Sequence, residues 1–173
     1  MTSLKYLFVS VDTDGVGSFF SQTLVRVAMV LTDETFQTLA LESFFVQGAT
    51  ELQYNPNGYT LEQVSNGFTP ADAAALVANR LQEADAVVAH NLDFVASALM
   101  QLGSTISFEN KKLFCTMEGT RDLCELLPLV RGQYKYPRLD ELYKHLFTEG
   151  TVGTRAEEKA WAVKQCFEGL TAV

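Results

Sequence analysis

The 173-residue chain predicts an α/β fold built on one mixed sheet, in which three antiparallel strands are followed by parallel ones and helices flank the whole. Three observations predict it. The first 46 residues carry three apolar runs with strand patterning and no helical periodicity between them. Beyond them, helical spacing alternates with short apolar runs, the order that extends a sheet by parallel strands. With 47% hydrophobic residues, a chain of this length buries a substantial core as one domain, residues 1–173, without disulfides or metals.

The first strand runs from Tyr6 to Val11 and stops at the turn-rich Asp12-Thr13-Asp14-Gly15. Val25, Val27, Met29 and Leu31 alternate with Arg26 and Ala28, the period-two pattern of a half-buried second strand, and Phe36 to Val46 gives a third. Short turns around Gly15 and Gly17 and at Thr32-Asp33-Glu34 make both connections antiparallel hairpins. Asn55-Pro56-Asn57-Gly58 is a loop by composition, and Thr60 caps a short helix through Asn66. Thr69-Pro70 is an N-cap followed by proline at the first helical position, and Ala74, Val77, Leu81 and Ala84 recur at helical spacing through Glu83. Asp85 to Ala89 is a short strand, and Val95, Leu99 and Leu102 mark the inner face of a helix ending at Gly103. Lys112 to Thr116 reads as a strand, Thr120 to Leu127 as a helix before Pro128, and Pro137 to Phe147 as a helix with Leu139, Leu142 and Leu146 inward. The last helix spans Thr154 to Leu170, with Ala156, Ala160, Val163, Phe167 and Leu170 on one face.

Composition narrows the function classes. A formal charge of −8 and a pI near 4.7 oppose non-specific phosphate binding, which depends on Lys and Arg displacing condensed counterions. A local basic patch is the way an acidic protein still holds nucleic acid. Cys115, Cys124 and Cys166 are odd in number, far apart and without a CxxC pair, which fits neither a disulfide framework nor a zinc site and points to a reducing compartment. No stretch of about 18 apolar residues occurs, so neither a signal peptide nor a membrane span is expected and the protein reads as intracellular.

In-line cleavage of a phosphodiester with two cations needs acidic oxygens converging from separate elements, because each hard divalent ion takes several oxygen ligands. Asp12 and Asp14 at a strand end are placed for such a site, although alone they also fit plain turn residues. Three segments, in order, carry more. They are Phe8 to Gly15; Val87-Val88-Ala89-His90-Asn91-Leu92-Asp93-Phe94-Val95; and Thr154-Arg155-Ala156-Glu157-Glu158-Lys159-Ala160. Cys115-Thr116-Met117 and Tyr136-Pro137-Arg138-Leu139-Asp140-Glu141-Leu142-Tyr143 lie between the last two. Together these resemble the motifs and connecting segment of the DEDDh-type 3′-to-5′ exonucleases, a ribonuclease H-like family that includes proofreading exonucleases. The resemblance covers nearly the whole chain and implies the ribonuclease H-like sheet.

It also implies which site residues are altered. The family's first motif is Asp-x-Glu, and Asp14 stands in place of the glutamate. Its second motif ends in a metal-binding aspartate, whose position Val95 occupies. Its third has a histidine and, five positions on, an aspartate; Thr154 and Lys159 stand there. Sliding the last helix by one residue to recruit Glu158 breaks the apolar register of Cys166, Phe167 and Leu170. Asp93, two residues before Val95, is rotated about 200° around its helix. His90 belongs to the second motif and His145 to the helix of Leu142 and Leu146, so neither replaces the lost base. The resemblance further implies weak nucleic-acid contacts at Thr13, His90, Asn91 and Phe94. Competing readings are a structural helix start capped by Asn91 and a core role for Phe94.

Lys159 lies at three-and-four spacing with Ala156, Val163 and Cys166, at the edge of the apolar face, and an inward ammonium needs a partner. The expectation is that it pairs with Asp12, Asp14 or both, replacing the cations; otherwise it snorkels to water. The function expected is therefore a catalytically degenerate exonuclease-like domain acting as a structural or protein-interaction subunit, with Asp12 and Asp14 vestigial. No cofactor is expected, and the partner is another protein or a second copy, with no membrane association. The alternatives are a divergent exonuclease using Mg or Mn on Asp12 and Asp14, and a non-cleaving binder of single-stranded nucleic acid.

Overall fold

A computed structural model describes residues 3–15, 22–129 and 131–172. Its elements are β1 (Tyr6–Asp14), β2 (Thr23–Thr32), β3 (Thr38–Phe45), α1 (Leu61–Ser65), α2 (Pro70–Glu83), β4 (Ala86–Ala89), α3 (Leu92–Met100), β5 (Lys112–Cys115), α4 (Thr116–Gly119), α5 (Arg121–Cys124), α6 (Leu139–Leu146) and α7 (Ala156–Thr171). The sheet order is β3-β2-β1-β4-β5. β1 pairs antiparallel with β2, and β2 with β3, whereas β4 lies parallel to β1 and β5 parallel to β4. This is the mixed sheet that the sequence predicts.

Alternation along β1 divides the core between the two faces. Leu7, Val9 and Val11 join Val77, Leu81, Val95 and Leu99 of α2 and α3. Phe8 points the other way, toward Leu142, Ala160, Val163 and Phe167 of α6 and α7. Ser10 and Asp12 follow Phe8 by period two, which aims Asp12 at the start of α7. Just beyond Asp12 the β1–β2 register slips, so that Asp12 faces Arg26 while Thr13 faces Leu24. The extra residue, Val25, joins Tyr59 and Val64 in a third apolar cluster at the strand end. A bulge of this kind re-aims the strand next to it.

Several predicted boundaries and faces shift. The second strand is not half-buried: Leu24 to Thr32 are buried apart from Arg26, because helices cover both faces. The third begins at Thr38 because Asp33 Oδ1 accepts from the Thr35 and Gln37 amides, and Phe36 takes φ 62° within that turn. The helix expected over Thr120 to Leu127 is instead the single turn α5, which meets a preceding turn, α4, at Thr120. Thr120 donates its hydroxyl to Thr116 O at 2.6 Å, and Glu125 turns left-handed at φ 48°, ending the run before Pro128. α6 starts at Leu139 rather than Pro137, with the Arg138 amide donating to Glu141 Oε2 at 2.7 Å. α7 starts at Ala156 rather than Thr154, and the Arg155 amide donates to Glu158 Oε2 at 3.0 Å. The turn expected around Gly15 and Gly17 falls largely on residues 16–21, outside the described residues.

Candidate functional site

The end of β1 meets the first turn of α7 and the loop between β3 and α1. Asp12, 6% exposed, is the meeting point. The Ala156 amide, an orphan donor at the N-terminus of a 16-residue helix, donates to Asp12 Oδ2 at 2.8 Å. The Tyr59 hydroxyl donates to the same oxygen at 2.7 Å. On the other oxygen, Lys159 Nζ lies 2.7 Å from Asp12 Oδ1, and it also donates to Val11 O at 2.8 Å. Lys159 follows Ala156 by almost one helical turn, which puts the ammonium above the same strand end as the helix start.

Asp14 has a different solution. Its carboxylate turns toward the loop after β3, where the Gln53 amide donates to Oδ2 at 2.9 Å and the Tyr54 amide to Oδ1 at 2.8 Å. Lys159 thus pairs with Asp12, while two backbone N–H groups satisfy Asp14. Both carboxylates are buried, and each of their four oxygens has a protein donor. A small cavity of about 10 Å³ lies between them and Asn57, large enough for about one water.

Tyr59 is fixed by its surroundings. Its ring meets Phe45 edge-on at 4.9 Å, and the Arg26 guanidinium lies 5.4 Å from its centroid. Burial first, then the bond to Asp12, holds the phenol well above its ordinary pKa, so it stays a donor. Arg26 pairs with Glu157 at 3.1 Å, and Ser43 bridges the two. Tyr59→Phe removes one donor from a buried carboxylate that keeps two others. The expected loss is about 2 kcal/mol in urea unfolding, and a loss under about 0.5 kcal/mol contradicts this role.

The remaining positions singled out by sequence scatter. Val95 is 3% exposed and packs in the α2–α3 core, presenting no oxygen. Thr154 is exposed and precedes α7; with Lys159, Asp140 and Gly153 it lines an open cleft of about 360 Å³. Asp93 and Glu158 are both exposed. Thr13 Oγ1 donates to Gln22 Oε1 at 2.5 Å. Phe94 is half-buried against the core. Asn91 holds the N-cap position of α3, but at φ 61° and without a side-chain capping bond, so the expected cap is absent; the Leu92 amide donates to Cys115 Sγ at 3.4 Å instead.

His90 is built into the structure. Nε2 lies 2.9 Å from Pro137 O and Nδ1 3.0 Å from Thr116 Oγ1. A carbonyl only accepts, so the proton sits on Nε2 and the Thr116 hydroxyl donates to Nδ1. Burial depresses its pKa below the ordinary 6.5, against smaller opposing effects from the Pro137 carbonyl and Asp140. Between that native value and 6.5 the unfolded chain binds more protons. Stability from His90 is therefore complete above pH 6.5 and falls as pH drops toward the native value. Urea midpoints should fall between pH 7.5 and 5.5 in the wild type and less in His90→Gln; equal slopes contradict it.

The donor set does not fit a two-cation centre. A divalent ion needs several oxygen ligands, whereas here the carboxylates are saturated, an ammonium stands against Asp12, and Val95 is apolar. Among the described residues no group of three or more His, Cys, Asp or Glu is arranged to hold a metal. Sequence reasoning missed Tyr59, the Gln53 and Tyr54 amides and the Arg26–Glu157 pair. The only signal was the Asn55-Pro56-Asn57-Gly58 turn that delivers Tyr59 to the strand end.

No protein-family profile matches the chain, and no curated protein does. Solved structures do. A product-bound exonuclease I matches with a TM-score of 0.76 at 15% identity over 99% of this chain and 44% of its own. E. coli exonuclease I with a dT13 oligonucleotide matches with a TM-score of 0.73 at 15% identity, over 95% and 40%. An ExoI/SSB-Ct complex gives 0.75 at 15% identity, over 99% and 42%. The chain thus spans less than half the length of these proteins, and at this identity the likeness is one of fold.

Proposed function

We propose that this chain is a catalytically silent, exonuclease-like domain that serves as a structural or protein-interaction subunit. The observation that carries the reading is the ammonium of Lys159 against Asp12. A cation entering there must displace an ammonium from a buried carboxylate, compete with Tyr59 and Ala156 for the other oxygen, and take Asp14 from two backbone amides. A hydrogen-bonded buried pair of this kind is strongly destabilised when one partner is removed. Asp12 and Asp14 then hold β1, α7 and the loop before α1 together instead of holding ions.

The formal charge of −8 supports the same reading, since it disfavours a phosphate backbone over most of the surface. The test is a cleavage assay on end-labelled single-stranded DNA and RNA with magnesium or manganese. The expected result is no ladder. A metal-dependent ladder that Asp12→Ala abolishes contradicts the proposal and favours a divergent exonuclease.

A further inference from the structure

Residues 126–138 read Leu-Leu-Pro-Leu-Val-Arg-Gly-Gln-Tyr-Lys-Tyr-Pro-Arg, with three cations and no carboxylate in a chain of net charge −8. The segment closes on itself, since the Lys135 amide donates to Leu126 O at 3.0 Å. Its base is tied down by Arg121, which donates to Gln133 Oε1 at 2.8 Å, and by the Lys135–Glu141 pair at 2.8 Å. Left-handed Arg131 and Gly132, φ 51° and 80°, turn the loop. The two ends of the segment are therefore fixed against each other.

What it exposes is unusual for an idle loop. Leu127 is 71% exposed and Leu129 53%, with Leu123 of α5 at 48% and Tyr136 at 46%. Beside them lies a cleft of about 410 Å³ lined by Arg121, Arg131, Gln133, Tyr134, Lys135 and Tyr136; Arg121 and Lys135 pair with Asp122 and Glu141 outside its wall, at 3.2 and 2.8 Å. The Arg121 guanidinium sits 5.4 Å from the Tyr136 centroid, which presets that ring. Arg131 makes no ion pair among the described residues. Tyrosine and arginine beside a desolvatable apolar patch is the composition that concentrates binding energy in protein interfaces.

We infer that this loop is a docking surface for an acidic, apolar-bearing segment of a partner protein, with apolar side chains on Leu127 and Leu129 and carboxylates on Arg131 and the cationic cleft. The leucines decide against single-stranded nucleic acid, which would use the tyrosines and cations but leave the aliphatic patch in water. Charge decides against symmetric pairing with a second copy, which would set Arg131 and the cations of the cleft against themselves. The surface serves the protein-interaction role proposed above, and the two fail separately. A metal-dependent ladder removes the silent centre without touching the loop, and a loop that selects no acidic ligand leaves the centre silent.

The test pans a random dodecapeptide library on the intact chain and measures the enriched peptide, fluorescently labelled, by anisotropy. The same measurement is made on Arg131→Glu and on Leu127→Ser/Leu129→Ser, which change exposed side chains and are checked for an unchanged urea midpoint. The expected consensus mixes Asp or Glu with apolar residues. Its affinity should fall about tenfold or more in each variant and decline with added salt. An absent consensus, one without carboxylates, or binding that both variants leave unchanged overturns the inference. So does a labelled oligo-dT that displaces the peptide and loses binding in Arg131→Glu, which assigns the cleft to nucleic acid. A dimer in sedimentation that the leucine variant dissociates overturns it in favour of self-association.

Discussion

Replacing Lys159 with methionine should destabilise the chain by about 3 kcal/mol, the lower end of the range for removing one partner of a buried ion pair. The lower end applies because the Lys159 side chain is 29% exposed whereas that of Asp12 is 5% exposed. That asymmetry sets the order of the single variants. Lys159→Met strands a buried carboxylate that cannot leave, and Asp12→Asn frees an ammonium that reaches water along its own stem. Asp12→Asn should therefore cost less, about 1–2 kcal/mol. The double variant should lose much less than the sum of the two single losses, because replacing both members removes the stranded charge. Urea unfolding of the four proteins gives the coupling; additive losses mean that the two groups do not depend on each other.

Phe8→Ala should cost more than either of these substitutions, about 4 kcal/mol. Phe8 is fully buried in the centre of the sheet on the α7 side, with ring centroids of Tyr6, Phe36 and Phe167 at 6.3, 6.4 and 5.8 Å. Truncation opens a cavity among rings that cannot collapse without moving α7 off the sheet, and α7 carries Lys159 and the Ala156 amide. Phe114→Ala is the control: Phe114 also touches Phe167 but is 40% exposed, and its loss should be under about 1.5 kcal/mol. Comparable losses for the two would place the core elsewhere.

Much of the fold was legible because its signals are periodic. The apolar run of β1, the four buried residues of β4 and the three-and-four spacing of α7 each follow one rule. The inward position of Lys159 followed from the same spacing, and with it the approach to Asp12. The fate of Asp14 did not, because its partners are backbone amides at Gln53 and Tyr54, and a backbone donor leaves no mark in the sequence. Tyr59 was hidden for a related reason: it reaches Asp12 across 47 residues through a loop whose path depends on the third apolar cluster. The burial of β2 on both faces was equally hidden, since a strand's own pattern does not state how many helices cover it. The helix expected over Thr120 to Leu127 shortens to α5, because local hydrogen bonding at Thr120 and a left-handed Glu125 override it.

The central claim is that an ammonium, a phenol and backbone amides neutralise this strand end in place of cations. Titration of manganese against the intact chain, followed by the electron paramagnetic resonance signal of the free ion, tests it most directly. The expected signal matches that of buffer through the millimolar range, for the wild type and for Asp12→Asn alike. Saturable manganese binding by the wild type that Asp12→Asn removes would contradict the claim.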